Sequence, residues 1–168
     1  MPVEITAGHY APRHRVLRLS QEVYRQPSVA ALGIAAHEAG HAIQHARAFA
    51  PLQVRSALAP LAGGSSNLGF VLIISGLALQ TLELTWAEVG FFAFATLLAL
   101  VTLPVEFDAS RRAQEALTRM GLVTRSEGQG IGQVLNAAAW TYVAGFAISA
   151  LQLLYWISVV GSGRRSTA

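Results

Sequence analysis

The stretch SVAALGIAAHEAGHAIQHARA, residues 28–48, decides both the fold and the chemistry expected of this chain. It is rich in alanine and begins with Ser28, a favourable helix cap, so it predicts a helix over its whole length. Residues 37–41 within it read HEAGH, which has the spacing H-E-x-x-H. Residues four apart on a helix are offset by only about 40° around the axis, so His37 and His41 face the same way. Two imidazoles placed in this way can bind one zinc ion.

Glu38 adds a carboxylate next to this pair of imidazoles. From its position beside His37 it can reach a water on the open side of a bound metal. Zinc acidifies such a water, and a carboxylate can take its proton as the water attacks a carbonyl. The motif therefore predicts a zinc hydrolase with one Zn²⁺ per chain and a peptide or protein substrate. A non-peptide amide or ester would need the same chemistry and stays an open alternative.

Composition indicates a membrane protein. The 168 residues are 53% hydrophobic and 12% charged, against about 25% charged in ordinary soluble domains. Cysteine is absent, which excludes thiolate ligands. All twelve basic residues are arginine, without the clustered basic face of a nucleic-acid binder, so the lipid bilayer is the expected partner and nucleic acid is not.

The predicted fold is mainly α, a single multi-spanning domain over residues 1–168 with a zinc helix and a small N-terminal β-hairpin. Runs of strand character at 3–6 and 15–19 predict the hairpin within residues 1–26. An unpaired edge of this hairpin is expected to border the active site and to hold an extended substrate. Pro51 is expected to close the zinc helix. Three long charge-free runs predict transmembrane helices near 61–82, 86–104 and 135–160.

The placement of arginine predicts the orientation in the membrane. Positive side chains concentrate on the cytoplasmic side, which puts residues 1–55 and 105–133 there. Six arginines precede the first predicted span and four lie between the second and third spans: Arg13, Arg15, Arg18, Arg25, Arg47 and Arg55, then Arg111, Arg112, Arg119 and Arg125.

Glu106 is the predicted third ligand, because a catalytic zinc needs three protein ligands and one open position. Two predicted spans separate it from the zinc helix, so the chain returns to the same side of the bilayer at Glu106. His45, one turn after His41, is an alternative, although three ligands along one straight helix would strain a tetrahedral site. A closed four-ligand site that included His45 would instead favour a membrane interaction or regulatory protein with structural zinc.

Several segments resemble the YugP-type neutral zinc metallopeptidases of bacterial membranes, in the right order over nearly the whole chain. They are LRLSQEVY, SVAALGIAAHEAGHAIQHA, SALAPLA, LVTLPVEFDASRRA and VLNAAAWTYVA. More distantly, H-E-x-x-H followed by Glu-Phe-x-Ala resembles the HtpX-like and CAAX prenyl proteases, which are gluzincins. The resemblance implies zinc on His37, His41 and Glu106, Glu38 as general base, and a multi-pass protein of the bacterial cytoplasmic membrane.

Two of the departures of this chain from these patterns bear on the membrane spans and on the zinc site. YugP-type proteins usually begin with another transmembrane helix, ahead of the part seen here. In the HtpX-like pattern an Asp four residues after the ligand Glu can orient a zinc histidine, and here that position is Ser110. This orienting task is therefore expected to fall elsewhere or to be weakened. Asp108 is a candidate for it, although its spacing from Glu106 points it off the ligand face.

Five further residues are secondary candidates. Tyr142 and Asn136 on the third predicted span, and His9 and Tyr10 in the hairpin, carry donors that could stabilise a developing oxyanion. Gln44 shares the His37/His41 face and is a candidate to hydrogen-bond a ligand, with a purely structural role as the alternative. The sequence leaves open the oligomeric state and the cleavage preference.

Overall fold

The structure is a computed structural model and describes residues 2–6, 8–61 and 82–163. These residues are mainly helical with a small N-terminal sheet, which confirms the predicted mainly α class. In chain order the elements are β1 Val3–Ile5, β2 His9–Ala11, β3 Val16–Leu19, α1 Gln21–Arg25, α2 Val29–Ala46, α3 at residues 50–61, α4 Leu82–Arg119 and α5 Arg125–Gly163.

The chain divides into two compact units. The first comprises Met1–Gln53 and Leu103–Thr141, and the second comprises Val54–Thr102 and Tyr142–Ala168. Every contact of the candidate site described below lies within the first unit. That the whole chain acts as one domain stays a prediction.

The N-terminal sheet differs from the predicted hairpin. Both predicted strands form, but β1 pairs with β3 in parallel, so they are not the two arms of one hairpin. The antiparallel partner of β3 is β2, in a segment expected to be a loop, and the strand order is β1-β3-β2. Because β3 pairs on both sides, only β1 and β2 have an unpaired edge in this sheet. That such an edge holds an extended substrate stays a prediction. The short loop after β2 lets the chain turn back at once, which the strand propensities alone do not reveal.

Helix α2 begins where the sequence predicts. The Ser28 side chain accepts a hydrogen bond from the backbone N–H of Ala31, at 3.1 Å, and so caps the first turn. The helix ends at Ala46, before the expected boundary, because Ala48 takes a left-handed conformation with φ 51°. Pro51 does not close this helix and lies in the first turn of α3, where a missing N–H costs nothing.

Helix α4 runs through Pro104 without a break, whereas the second predicted span ends at that proline. The buried residues beyond the proline keep helical spacing, as Val105, Ala109, Ala113 and Leu117 follow one another every four residues. Continuous packing along this stripe stabilises the helical register against the loss of one backbone hydrogen bond.

Among the residues that the structure describes, two helices are long and apolar enough to cross a membrane, Val89–Arg119 with 31 residues and Arg125–Val159 with 35 residues. They overlap the second and third predicted spans, of which residues 86–88 and 160 fall outside these ranges. The predicted span near 61–82 lies almost entirely outside the described residues.

The core of the first unit joins three helices. Ala113 and Leu117 of α4 pack with Ile131 and Leu135 of α5, and Ala36 of α2 lies against this cluster. This packing fixes α2 beside the part of α4 that follows Pro104, and it sets the distance between the histidines and Glu106.

Candidate metal centre

Three potential ligands converge between α2 and α4. Glu106 Oε2 lies 3.1 Å from His37 Nε2 and 3.7 Å from His41 Nε2. One ligand atom from each residue lies within 4.8 Å of the others, the only such group of His, Cys, Asp or Glu within residues 2–6, 8–61 and 82–163. Glu106 is 1% exposed and His41 is 8% exposed, so the carboxylate and one imidazole are withdrawn from bulk water.

Gly40 allows the two ligand-bearing helices to approach this closely. A Cβ at this position would overlap the carbonyl oxygen of Ala109 and lie 3.0 Å from its carbonyl carbon. Gly33, two turns earlier, faces the Ile131 side chain instead, at 3.2 Å. Gly40 of the HEAGH segment therefore permits the contact with the Ala109 backbone that brings Glu106 close to the histidines.

The other ring nitrogen of each histidine also has a hydrogen-bond partner. His37 Nδ1 lies 3.1 Å from Ser110 Oγ, and His41 Nδ1 lies 3.0 Å from Gln44 Oε1. With both Nδ1 atoms engaged, both Nε2 atoms face Glu106. Outer contacts of this kind orient zinc-binding histidines. The Ser110 hydroxyl therefore contacts His37, although this position was expected to have a weakened orienting role, and the Gln44 amide contacts His41.

Gln44 connects His41 to a charged group formed by Asp108, Arg111 and Arg112. Its Nε2 donates to the carbonyl oxygen of Val105 at 2.7 Å and to Asp108 Oδ2 at 2.9 Å. Asp108 in turn accepts from Arg111 and Arg112. Arg112 is largely buried, and its guanidinium lies 5.6 Å from the centre of the Phe49 ring. The carboxylate beyond Gln44 is thus held by two cations.

Glu38 contacts the small sheet. Its Oε2 accepts a hydrogen bond of 2.7 Å from the backbone N–H of Tyr10, on the edge of β2 that faces away from β3. The Tyr10 hydroxyl lies 2.8 Å from Nδ1 of His45, one turn beyond His41. These two contacts dock β2 on the HEAGH turns of α2.

Burial and hydrogen bonding shift two pKa values at the site. Burial alone lowers the pKa of His41, but the hydrogen bonds and charge of Glu106, with the hydrogen bond to Gln44, outweigh it, and the net pKa is raised. Burial also raises the pKa of the Tyr10 hydroxyl. Tyr10 therefore stays neutral at physiological pH and keeps a proton to donate.

The remaining candidates lie in different surroundings. His9 neighbours Tyr10 on β2, so its side chain points to the opposite face of the sheet, where Nε2 lies 3.5 Å from Arg18. Asn136 is exposed on α5, and Tyr142 is exposed in the second unit. Their catalytic roles stay predictions.

Sequence reasoning missed two contacts of the site. The spacing between Asp108 and Glu106 pointed Asp108 away from the ligand face, and only the long side chain of Gln44 connects it to His41. The contact of Glu38 with the Tyr10 backbone N–H cannot be predicted from residue type, because every residue except proline has such a donor. A strand assignment at residues 9–11 would have been the only signal for it.

The residues present fit zinc. Two ligands each about 2.1 Å from a tetrahedral zinc lie about 3.4 Å apart, and the distances from Glu106 to the two Nε2 atoms bracket this value. Two imidazoles and one carboxylate form a known catalytic zinc set, and hydrogen-bonded Nδ1 atoms are its usual accompaniment.

Comparison with known proteins agrees with this chemistry. The profile of the family described as "Putative neutral zinc metallopeptidase" matches residues 2–161. The chain is 38% identical over 168 residues to "Putative membrane protease YugP" of Bacillus subtilis (strain 168), covering 98% of this chain and 75% of that protein. No solved structure shows a significant match. The matching profile and the similarity over nearly the full length establish that the chain belongs to the neutral zinc metallopeptidase family.

Proposed function

We propose that this protein is a membrane-embedded zinc metallopeptidase of the gluzincin type, with zinc held by His37, His41 and Glu106. One observation carries the proposal: three ligand atoms within 4.8 Å of one another, beside a carboxylate that is not part of the group. A site with three protein ligands leaves a position open for chemistry. Bound zinc would polarise the scissile carbonyl and acidify a water.

Glu38 is the proposed general base. The Tyr10 N–H bonds Oε2 and so fixes the orientation of the carboxylate, while Oε1 can accept a proton from the attacking water. Glu38 then returns this proton to the leaving amine, so the water is divided between the two product ends. A carboxylate held by one backbone donor needs no reorganisation before each turnover, because the donor belongs to a paired strand.

The membrane setting of this activity is also part of the proposal. Two long apolar helices, the YugP likeness and the low charge content support a multi-pass protein of the bacterial cytoplasmic membrane. Large apolar side chains of α5 such as Trp140, Ile148 and Leu151 are exposed, as expected of side chains that contact lipid. Arginine placement favours a cytoplasmic active site and a peptide substrate cleaved close to that surface.

A structural zinc in an interaction protein is the rival function. It would be favoured by a fourth protein ligand, for which His45 was the candidate. His45 Nδ1 is instead engaged by the Tyr10 hydroxyl. An intact Glu38 has no use in a structural site.

Glu38→Gln tests the proposed reaction. Purified wild type and variant, in matched lipid nanodiscs, would be compared for zinc content and for cleavage of a fluorogenic peptide library. We expect equal zinc, equal thermal stability and a loss of turnover of about 100-fold or more. Glu22→Gln, on the exposed face of α1, is the matched control and should cleave normally. Loss of zinc in Glu38→Gln, or full activity, would contradict the assignment.

A further inference from the structure

The Gln44 side chain joins the two ligand-bearing helices and is completely buried. Both ends of its amide are used: Nε2 contacts the Val105 carbonyl oxygen and Asp108 Oδ2, and Oε1 contacts His41 Nδ1. Because the amide is enclosed on all sides, its orientation determines which hydrogen bonds His41 can make.

The partners of the amide nitrogen allow only one orientation. A backbone carbonyl can only accept hydrogen bonds, and the two Asp108 oxygens already accept from Arg111 and Arg112. The –NH₂ group must therefore face Val105 and Asp108, and the amide oxygen must face His41. An amide oxygen is also only an acceptor, so His41 Nδ1 must carry a hydrogen.

This orientation determines the protonation pattern of neutral His41. Neutral His41 has one hydrogen and faces two acceptors: Nδ1 lies 3.0 Å from Gln44 Oε1, whereas Nε2 lies 3.7 Å from Glu106 Oε2, beyond hydrogen-bond distance. The hydrogen therefore stays on Nδ1, and the lone pair lies on Nε2. His37 differs, because the Ser110 hydroxyl can donate or accept and imposes neither form. Within the described residues, Gln44 is the only side chain that requires a zinc histidine to carry its hydrogen on Nδ1 and so leaves the Nε2 lone pair available to a metal.

We propose that Gln44 is a positioning residue that locks His41 in its Nδ1–H tautomer, with Asp108 and Arg112 fixing the orientation of the Gln44 amide. The zinc consequence rests on the proposed function, since it supposes that Nε2 binds metal. The tautomer itself does not, because it follows from hydrogen bonds in the metal-free protein.

The primary test compares wild type with Gln44→Leu, which removes the amide at similar size. Nitrogen-15 NMR of labelled histidine in the chelated protein, at a pH where imidazoles are neutral, reports the tautomer. We expect Nδ1–H at His41 in wild type and a mixture in Gln44→Leu. Zinc affinity, from competition with a chelating dye, should fall about 10–100-fold. Gln133→Leu, at an exposed position of α5, is the matched control and should change neither.

A wild-type His41 carrying its hydrogen on Nε2 would overturn the proposal, as would unchanged zinc affinity in folded Gln44→Leu. Should that variant not fold, an exchange of groups decides instead. Gln44→Glu alone places a carboxylate against Asp108, whereas Gln44→Glu with Asp108→Asn restores a donor to that carboxylate and keeps an acceptor for His41. The double variant should bind zinc at least tenfold more tightly than Gln44→Glu. Equal affinities would refute the chain of contacts.

These measurements separate this inference from the proposed function. Wild type that binds zinc but cleaves no peptide would refute the peptidase and leave the role of Gln44 intact. Wild type that binds no zinc would refute the zinc site, while the NMR result would still decide the tautomer.

Discussion

Replacing Gly40 with alanine tests whether the close contact of α2 and α4 sets the metal site. The added methyl would overlap the Ala109 carbonyl oxygen and lie 3.0 Å from the carbonyl carbon, where ordinary contact begins at 3.4 Å. The helices must therefore separate locally by about 0.4 Å or more. Overpacking of this kind costs about 1–3 kcal/mol, and the better helix propensity of alanine offsets about 1 kcal/mol of it.

Zinc binding should suffer more than stability. Zinc–ligand distances tolerate only about 0.2 Å of error, and the separation moves Glu106 away from His37 and His41 by more than this. We expect zinc affinity to fall at least about tenfold, with peptide turnover reduced accordingly. Dye competition and thermal unfolding in nanodiscs measure the two effects.

Gly33→Ala is the matched control on the same helix. Its methyl would approach only side-chain atoms of Ile131, the nearest at 3.2 Å, and no backbone atom of α4, so the displacement is smaller and zinc affinity should fall much less than in Gly40→Ala. If Gly40→Ala bound zinc as tightly as wild type, the close contact of α2 and α4 would not be what sets the distance between Glu106 and the two histidines.

Three further predictions concern the ligands. Glu106→Gln keeps the shape of the side chain but removes its charge, and zinc affinity should fall by more than the roughly 10–100-fold typical of losing an outer hydrogen bond. A zinc affinity equal to that of wild type in dye competition would exclude Glu106 as a ligand. In the metal-free protein, the raised pKa of His41 means that protonated His41 increases the free energy of unfolding. This contribution is fully present below about pH 6.5 and is lost as the pH rises through the pKa of the folded state. Zinc instead needs neutral His41, so the rise in Tm on adding zinc to chelated protein should grow with pH above about 6.5, and a pH-independent rise would contradict this. Ser110→Ala should weaken zinc about tenfold, and Ser110→Asp, which offers His37 a carboxylate, should restore or exceed wild-type affinity; no change in either variant would mean that the Ser110 contact does not orient His37.

Periodicity and residue chemistry predicted the zinc helix and the three residues whose potential ligand atoms the structure brings together. His37 and His41 share a face by spacing alone, and Ser28 gives the helix start. The approach of Glu106 was inferred from an even number of predicted crossings, yet the structure brings it to the histidines through the Gly40–Ala109 contact. That contact depends on the absence of a side chain, so its partner cannot be read from the sequence.

The errors arose where tertiary contacts override local signals. Pro104 has the sequence signature of a helix end, but the buried stripe from Val105 onward keeps α4 continuous. The segment at His9–Ala11 is too short to have a clear strand pattern, and it is held by pairing with β3 and by the docking of Tyr10 on Glu38. Pairing direction depends on how the chain turns back, so the sheet could not be predicted from strand propensity.

The identity of the zinc ligands can be tested directly by a structure of the zinc-loaded protein with anomalous diffraction at the zinc edge. We predict one zinc per chain, with His37 Nε2, His41 Nε2 and a carboxylate oxygen of Glu106 at about 2.0–2.2 Å and no fourth protein ligand. A zinc ion elsewhere, or one closed by His45 as a fourth ligand, would contradict this prediction.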